Sequence, residues 1–156
     1  MAVLFPAAVW KGSGGHAANR RPMTRVVVPV RYPLTEHSQA TLAEAIRIAE
    51  ARDAALTVLH VNPYQSNRSV SRRDLRQAVQ SAFGPQTNTS YVVRRGLLVE
   101  ETILEEVAAE GADVVVIGQK QAGRWREMIR RLVDDPDIEH YLQDELDAEV
   151  VTVRPD

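Results

Sequence analysis

The chain has 156 residues, 44% of them hydrophobic, which suits one domain with a substantial core better than two. Charged residues make up 26% and the formal net charge is -2, excluding both a disordered polyelectrolyte and a generally basic, nucleic-acid-coating protein. With no cysteine, the chain has no disulfide, Cys-based zinc site, iron–sulfur cluster or thiol catalysis, and a reducing cytoplasm is the expected compartment.

Residues 1–22 show no hydrophobic period and collect Gly, Pro and Arg. They do not read as a signal peptide, because Pro6 interrupts the apolar stretch and no charge precedes it. We set them apart as a disordered arm, or as an extension ahead of a true start at Met23, and take 23–156 as the domain. No apolar run approaches the roughly 20 residues that cross a bilayer, so no membrane insertion is expected.

From Arg25 onward, continuous β-branched runs alternate with amphipathic helices. Val26-Val27-Val28-Pro29-Val30 has no polar face, as in a parallel strand covered on both sides. Helix one follows, capped by Thr35 or Ser38, with Leu42, Ala45, Ile46 and Ala49 on one buried stripe. Leu56 to Val61 reads as strand two, then a polar loop runs from Asn62 to Val70. Ser71 and Asp74 predict a capping box for a helix burying Leu75, Ala78, Val79 and Ala82 and ending at Gly84-Pro85. Tyr91-Val92-Val93 is a short third strand. Glu100 and Glu101 favour the start of the next helix, which buries Ile103, Leu104, Val107 and Ala108 and stops at Gly111. Asp113 to Gly118 is strand four. Asp135-Pro136-Asp137 opens a last helix with Ile138, Tyr141, Leu142 and Leu146 inside, and Glu149 to Arg154 is strand five.

Strands separated by helices require right-handed crossovers, a five-stranded parallel sheet and a three-layer α/β sandwich. Ligands then bind beyond the strand carboxyl ends, where the strand order reverses. A receiver domain would carry acids after strand one, where Val30-Arg31-Tyr32 stands, and an Asp after strand three, where Arg94-Arg95-Gly96 stands. A flavodoxin phosphate loop is poorly served by Pro33-Leu34.

Three stretches carry a family resemblance: VVVPVRYPLTEHSQATLAEAIRIAE, then ALTVLHVNPY, then GADVVVIGQKQAG followed by a helix and AEVVTV. In this order and spacing, from Thr24 to Arg154, the chain resembles the universal stress protein family. The resemblance implies a Rossmann-like, adenine-nucleotide alpha hydrolase-like sheet of order 3-2-1-4-5, a role in stress response, and an antiparallel homodimer. In ATP-binding members it also implies an Asp after strand one, a Val near the end of strand two, and Gly-x-x-Gly, nine residues, Gly-Ser or Gly-Thr after strand four. Glycines there let phosphate approach backbone N–H groups at a helix N-terminus. Here Val30 is followed by Arg31 in place of the Asp, and Val61 fits. Gly118 fits the first glycine, but the next is Gly123, and Asp135-Pro136-Asp137 opens the last helix where donors would be needed. Ordinary ATP binding is therefore expected to be lost or strongly altered.

The segment after the glycine turn reads as an inserted helix with Trp125, Met128, Ile129 and Leu132 on one stripe and Arg124, Arg126, Arg130 and Arg131 around it. One reading leaves the arginines solvated or paired to the acidic tail. The sharper one gathers Arg31, Lys120 and Arg124, beside Gln119 and Gly123, into an anion site at the strand-end crevice. Other chemistry finds little support. His16, His37, His60 and His140 lack paired ligand spacing, Asp134 to Asp137 lacks the alternation of a calcium loop, and Gly12-Ser13-Gly14-Gly15 follows no strand. The Arg72-Arg73-Asp74-Leu75-Arg76 cluster reads as a solvated face, so no specific nucleic acid is expected.

If strand five is an edge, Val150, Val151, Thr152 and Val153 offer a ribbon that a symmetry mate would cover, giving a homodimer through the C-terminal strand. The expected function is a non-catalytic regulatory or binding module with a possible protein partner and no certain cofactor. The alternative is a switch holding ATP or another adenine nucleotide on an altered glycine loop after strand four. A nucleotide-hydrolysing or adenylyl-transferring enzyme has no metal-binding acid after strand one or four to support it.

Overall fold

Five parallel strands form one sheet of order β3-β2-β1-β4-β5: β1 Arg25–Pro29, β2 Ala55–Pro63, β3 Thr89–Gly96, β4 Val114–Gly118 and β5 Glu149–Val153. This computed structural model describes residues 23–67, 69–130 and 137–154. The helices are α1 Glu36–Ala51, α2 Arg72–Phe83, α3 Val99–Glu110, α4 Gln119–Arg130 and α5 Ile138–Leu146. The expected strand order and three-layer architecture are present.

β1 shows why its run lacks a polar face. Val26 and Val28 sit with Leu42, Ala45, Leu75 and Val79 in the layer that holds α1 and α2. Val27 points the other way, among Leu104, Val107, Trp125, Ile129 and Leu142 of α3, α4 and α5. All three valines are fully buried, so the strand must be apolar at every position, not at alternate ones. β1 pairs with β2 through Val26–Leu56 and Val28–Val58, and with β4 through Val26–Val114. The order reverses across that second pair.

Local signals set the helix ends. The Thr35 side chain accepts from the Ser38 N–H at 3.1 Å and caps α1. Ser71 and Asp74 complete the capping box of α2, and Asp137 caps α5 by accepting from the His140 N–H at 3.3 Å. Gly111 ends α3 at φ 67°, a left-handed conformation that favours glycine. Asp135 and Pro136 of the expected helix opening lie outside the described residues, as do residues 1–22.

Several expectations change. β3 is eight residues long, not three, because it pairs with β2 from Leu56–Thr89 to Pro63–Gly96 and as an edge strand carries polar residues outward. Ala82 is exposed, and the half-buried Phe83 takes its place against the core. Ile48 rather than Ile46 is buried on α1, and Tyr141 is half-buried. No glycine turn follows β4: α4 starts at Gln119, directly after Gly118, and Gly123 lies within the helix. The stripe of α4 packs as expected at Trp125 and Ile129, with Met128 at its margin, while Leu132 and Arg131 lie outside the described residues. β5 is an edge strand, but Val150 is core, so the ribbon consists of Val151, Thr152 and Val153.

Leu104→Ala should lower unfolding stability by about 2–5 kcal/mol in urea denaturation, since the side chain is fully buried. Ala82→Ser should stay within about 0.5 kcal/mol.

Candidate functional site

The carboxyl ends of β1, β2 and β4 open into a crevice of about 530 Å³. Its floor includes Val30 and Val61, both largely buried, with the Val30 N–H donating to the Leu59 carbonyl at 2.8 Å. The Val30 carbonyl lies 3.0 Å from His60 Nδ1, so the imidazole carries its hydrogen on Nδ1 there. Tyr32 meets the same ring edge-on, with centroids 6.2 Å apart.

One wall comes from α1, where Thr41 Oγ1 donates to the His37 carbonyl at 2.9 Å. Gly118 faces it closely: an added Cβ would lie 3.0 Å from Thr41 Oγ1, tight enough that the Thr41 side chain would have to give way. Asn62 fixes the opposite wall. It is almost wholly buried; its Nδ2 donates to the Val70 carbonyl at 2.9 Å and its Oδ1 accepts from the Val70 N–H at 3.1 Å. One side chain thus imitates a strand partner and pins the loop to the rim.

The third wall is the first turns of α4, where Gln119, Lys120, Gln121 and Arg124 line the crevice. Arg124 Nε donates to Glu100 Oε2 at 3.1 Å, and Nη2 donates to Gln121 Oε1 at 3.0 Å. That second bond fixes the orientation of the Gln121 amide and leaves its buried Nε2 without an acceptor. Trp125 Nε1 donates to the Glu100 carbonyl at 3.2 Å, tying α4 to the start of α3. Burial, and then the charge of Arg31, lower the Arg124 pKa below the ordinary guanidinium range, while Glu100 opposes the shift. Arg31 and Arg124 therefore share one electrostatic neighbourhood.

The crevice brings together Val30, Arg31, Val61 and Gly118 with Gln119, Lys120 and Arg124. It does not include Gly123, which points into open space on the helix. Of the β5 residues only Val153 reaches it, and among the described residues no lining comes from α5. Asp74 and Glu100 are the carboxylates of the lining. Asp74 is engaged by Ser71, whose N–H holds its carboxyl below the usual range, and Glu100 is paired with Arg124. Arg31 and Lys120 have no carboxylate partner among the described residues. Among the described lining residues, the cations Arg31, Lys120 and Arg124 face the carboxylates Asp74 and Glu100.

Sequence reasoning missed Asn62, Gln121 and Glu100 as site residues. For Gln121 the signal was spacing, three residues after Gly118. Asn62 gave none, because its partner is eight residues away. Among the described residues no group of three or more His, Asp or Glu side chains is placed to hold a metal.

A shallower groove adjoins the crevice, lined by the exposed Leu97 and Leu98 and by Met128. Glu100 and Arg124 line both.

The family model described as "Universal stress protein family" matches residues 23–135. The chain belongs to the universal stress protein family. The universal stress protein UspA from Lactobacillus plantarum is similar in fold, with a TM-score of 0.56 and 19% identity over 85% of this chain and 98% of that one. A universal stress protein in complex with cAMP gives a TM-score of 0.57 and 19% identity over 86% of this chain and 98% of the other. A universal stress protein from Archaeoglobus fulgidus DSM 4304 gives 0.56 and 17% identity, over 83% of this chain and 43% of that one. Among curated proteins none matches the sequence. The five-stranded parallel sheet is thus the fold shared with these universal stress proteins.

Asn62→Ala should destabilise the protein by about 1–3 kcal/mol in thermal or urea unfolding, because the Val70 N–H and carbonyl both lose their partner. Gln should not restore it, since its longer side chain overshoots the pair.

Proposed function

We propose that this universal stress protein is a non-catalytic regulatory module of the stress response that binds a small anion in the strand-end crevice and has lost ordinary ATP binding. The observation that carries this reading is the set of three cations, Arg31, Lys120 and Arg124, around one crevice whose described lining carries two carboxylates, Asp74, held by the Ser71 N–H, and Glu100, paired with Arg124. Such a set attracts phosphoryl or carboxylate oxygens, and guanidinium groups bind them in a fixed fork. Against ATP stand two features. Arg31 stands where the family resemblance implies an Asp, and α4 begins at Gln119, directly after Gly118, where the resemblance implies a glycine loop. The carboxylates of the lining are both engaged, which supports a binding role over acid–base work.

A second reading keeps an adenine nucleotide as ligand. The crevice volume of about 530 Å³ admits a mononucleotide, and the cAMP-bound relative shares the fold. It differs from the first in whether the base is recognised, and phosphate and nucleotide titrations separate the two.

A homodimer through β5 also belongs to this proposal. The strand stands at the end of the sheet, with one backbone edge unpaired among the described residues, and carries the half-buried Val151 and Val153. A cytoplasmic location fits the cysteine-free sequence, and no described helix is long and apolar enough to cross a membrane.

Calorimetry with inorganic phosphate, AMP and ATP tests the ligand reading. The wild type should bind phosphate and the phosphomonoester, Arg31→Glu should lose both, and ATP should bind no tighter than about millimolar. Micromolar ATP affinity in the wild type would give first place to the nucleotide switch. In light scattering the wild type should be a dimer and Val151→Lys with Val153→Lys a monomer; a monomeric wild type removes the dimer.

A further inference from the structure

We infer that Glu100 is a built-in competitor for the crevice: its carboxylate occupies Arg124 in the empty protein and is displaced by the bound anion, which couples the crevice to the Leu97–Leu98 groove. This rests on the anion-binding reading above and adds its regulation.

The ion pair stands on the boundary between the two cavities, since both partners line both of them. It is half-sheltered, with side-chain exposures of 31% for Arg124 and 26% for Glu100. Pairs of this kind contribute little to folding, so exchanging one anion for another leaves the fold intact. Arg124 is the cation both sides want. Glu100 holds it through Nε, Gln121 through Nη2, and Nη1 makes no hydrogen bond among the described residues. An anion seated by Arg31 and Lys120 would turn the Arg31–Arg124 repulsion into attraction to a shared charge and draw the guanidinium toward the crevice. Gln121, another lining residue of the crevice, keeps a buried Nε2 without an acceptor.

Displaced Glu100 has somewhere to go. It stands in the first turn of α3, whose N-cap, Leu98, supplies no side-chain hydrogen bond, so the turn's free N–H groups and its partial positive charge favour a carboxylate there. That movement places the Glu100 charge toward the groove beside Leu97 and Leu98, which are 62% and 59% exposed. Occupancy of the crevice would then be read on a neighbouring surface.

Glu100→Gln tests the exchange, because it removes the competing charge while preserving side-chain length and the backbone carbonyl that accepts from Trp125. Inorganic phosphate and AMP are titrated into wild type and variant, both also carrying Trp10→Phe so that emission comes from Trp125 alone. The expected result is tighter binding of both probes to Glu100→Gln, by up to about fivefold, and a change in Trp125 emission when the wild-type background saturates. Tighter phosphate binding without added gain from AMP would assign the site to the phosphoryl group rather than the nucleoside, and still supports the exchange. Binding to the wild type with equal or weaker affinity in Glu100→Gln, or saturation without any emission change, overturns the inference and leaves the anion site standing. No binding to either protein overturns both.

Discussion

Burial of β1 on both faces is the constraint on which the rest depends. A strand with Val26 and Val28 in one layer and Val27 in the other needs helices on each side of the sheet, and helices on both sides need parallel crossovers. With β2 and β4 as its neighbours, the chain leaves β1 in one direction for α1 and arrives at β4 from the other. The loops after these strands diverge there, and the crevice is the space they leave. Its position is therefore a result of core packing, whereas its chemistry is set by a few side chains that the core does not use.

The magnitudes keep those two parts separate. Trp125 is fully buried, and removing such a side chain costs about 3–5 kcal/mol. The partly exposed Glu100–Arg124 pair is worth about 1 kcal/mol or less after solvent screening. Along one helix, then, Trp125 and Ile129 anchor α4 in the core, while Lys120 and Arg124 line the crevice. The same division holds at β5, where Val150 belongs to the core and Val151 and Val153 stand at the margin.

Most of the fold was legible because each element's signal is local. Thr35, the Ser71–Asp74 box and Gly111 mark helix ends through their own neighbours, and the β-branched runs mark strands. The failures come from partners distant in the chain. Gly118 and Gly123 suggested a turn, yet Gln119, Lys120, Gln121 and Ala122 are good helix formers, and burial of Trp125 fixes the helix from further on. Arg94 and Arg95 read as lying after the third strand, but pairing to β2 carries β3 through them. Within the site, the cations Arg31, Lys120 and Arg124 were visible as charges. Asn62, Gln121 and Glu100 were not, because each takes its meaning from a contact that only the folded chain makes.

The most direct test of the central claim, an anion crevice that does not serve ATP, is mass spectrometry of small molecules released by heat from the gently purified protein. The expected release is a phosphorylated or carboxylated small molecule other than ATP, or nothing from a crevice that then fills with phosphate on addition. Stoichiometric ATP in the released fraction would contradict it, and would mean that Arg31, Lys120 and Arg124 hold a triphosphate without a glycine loop.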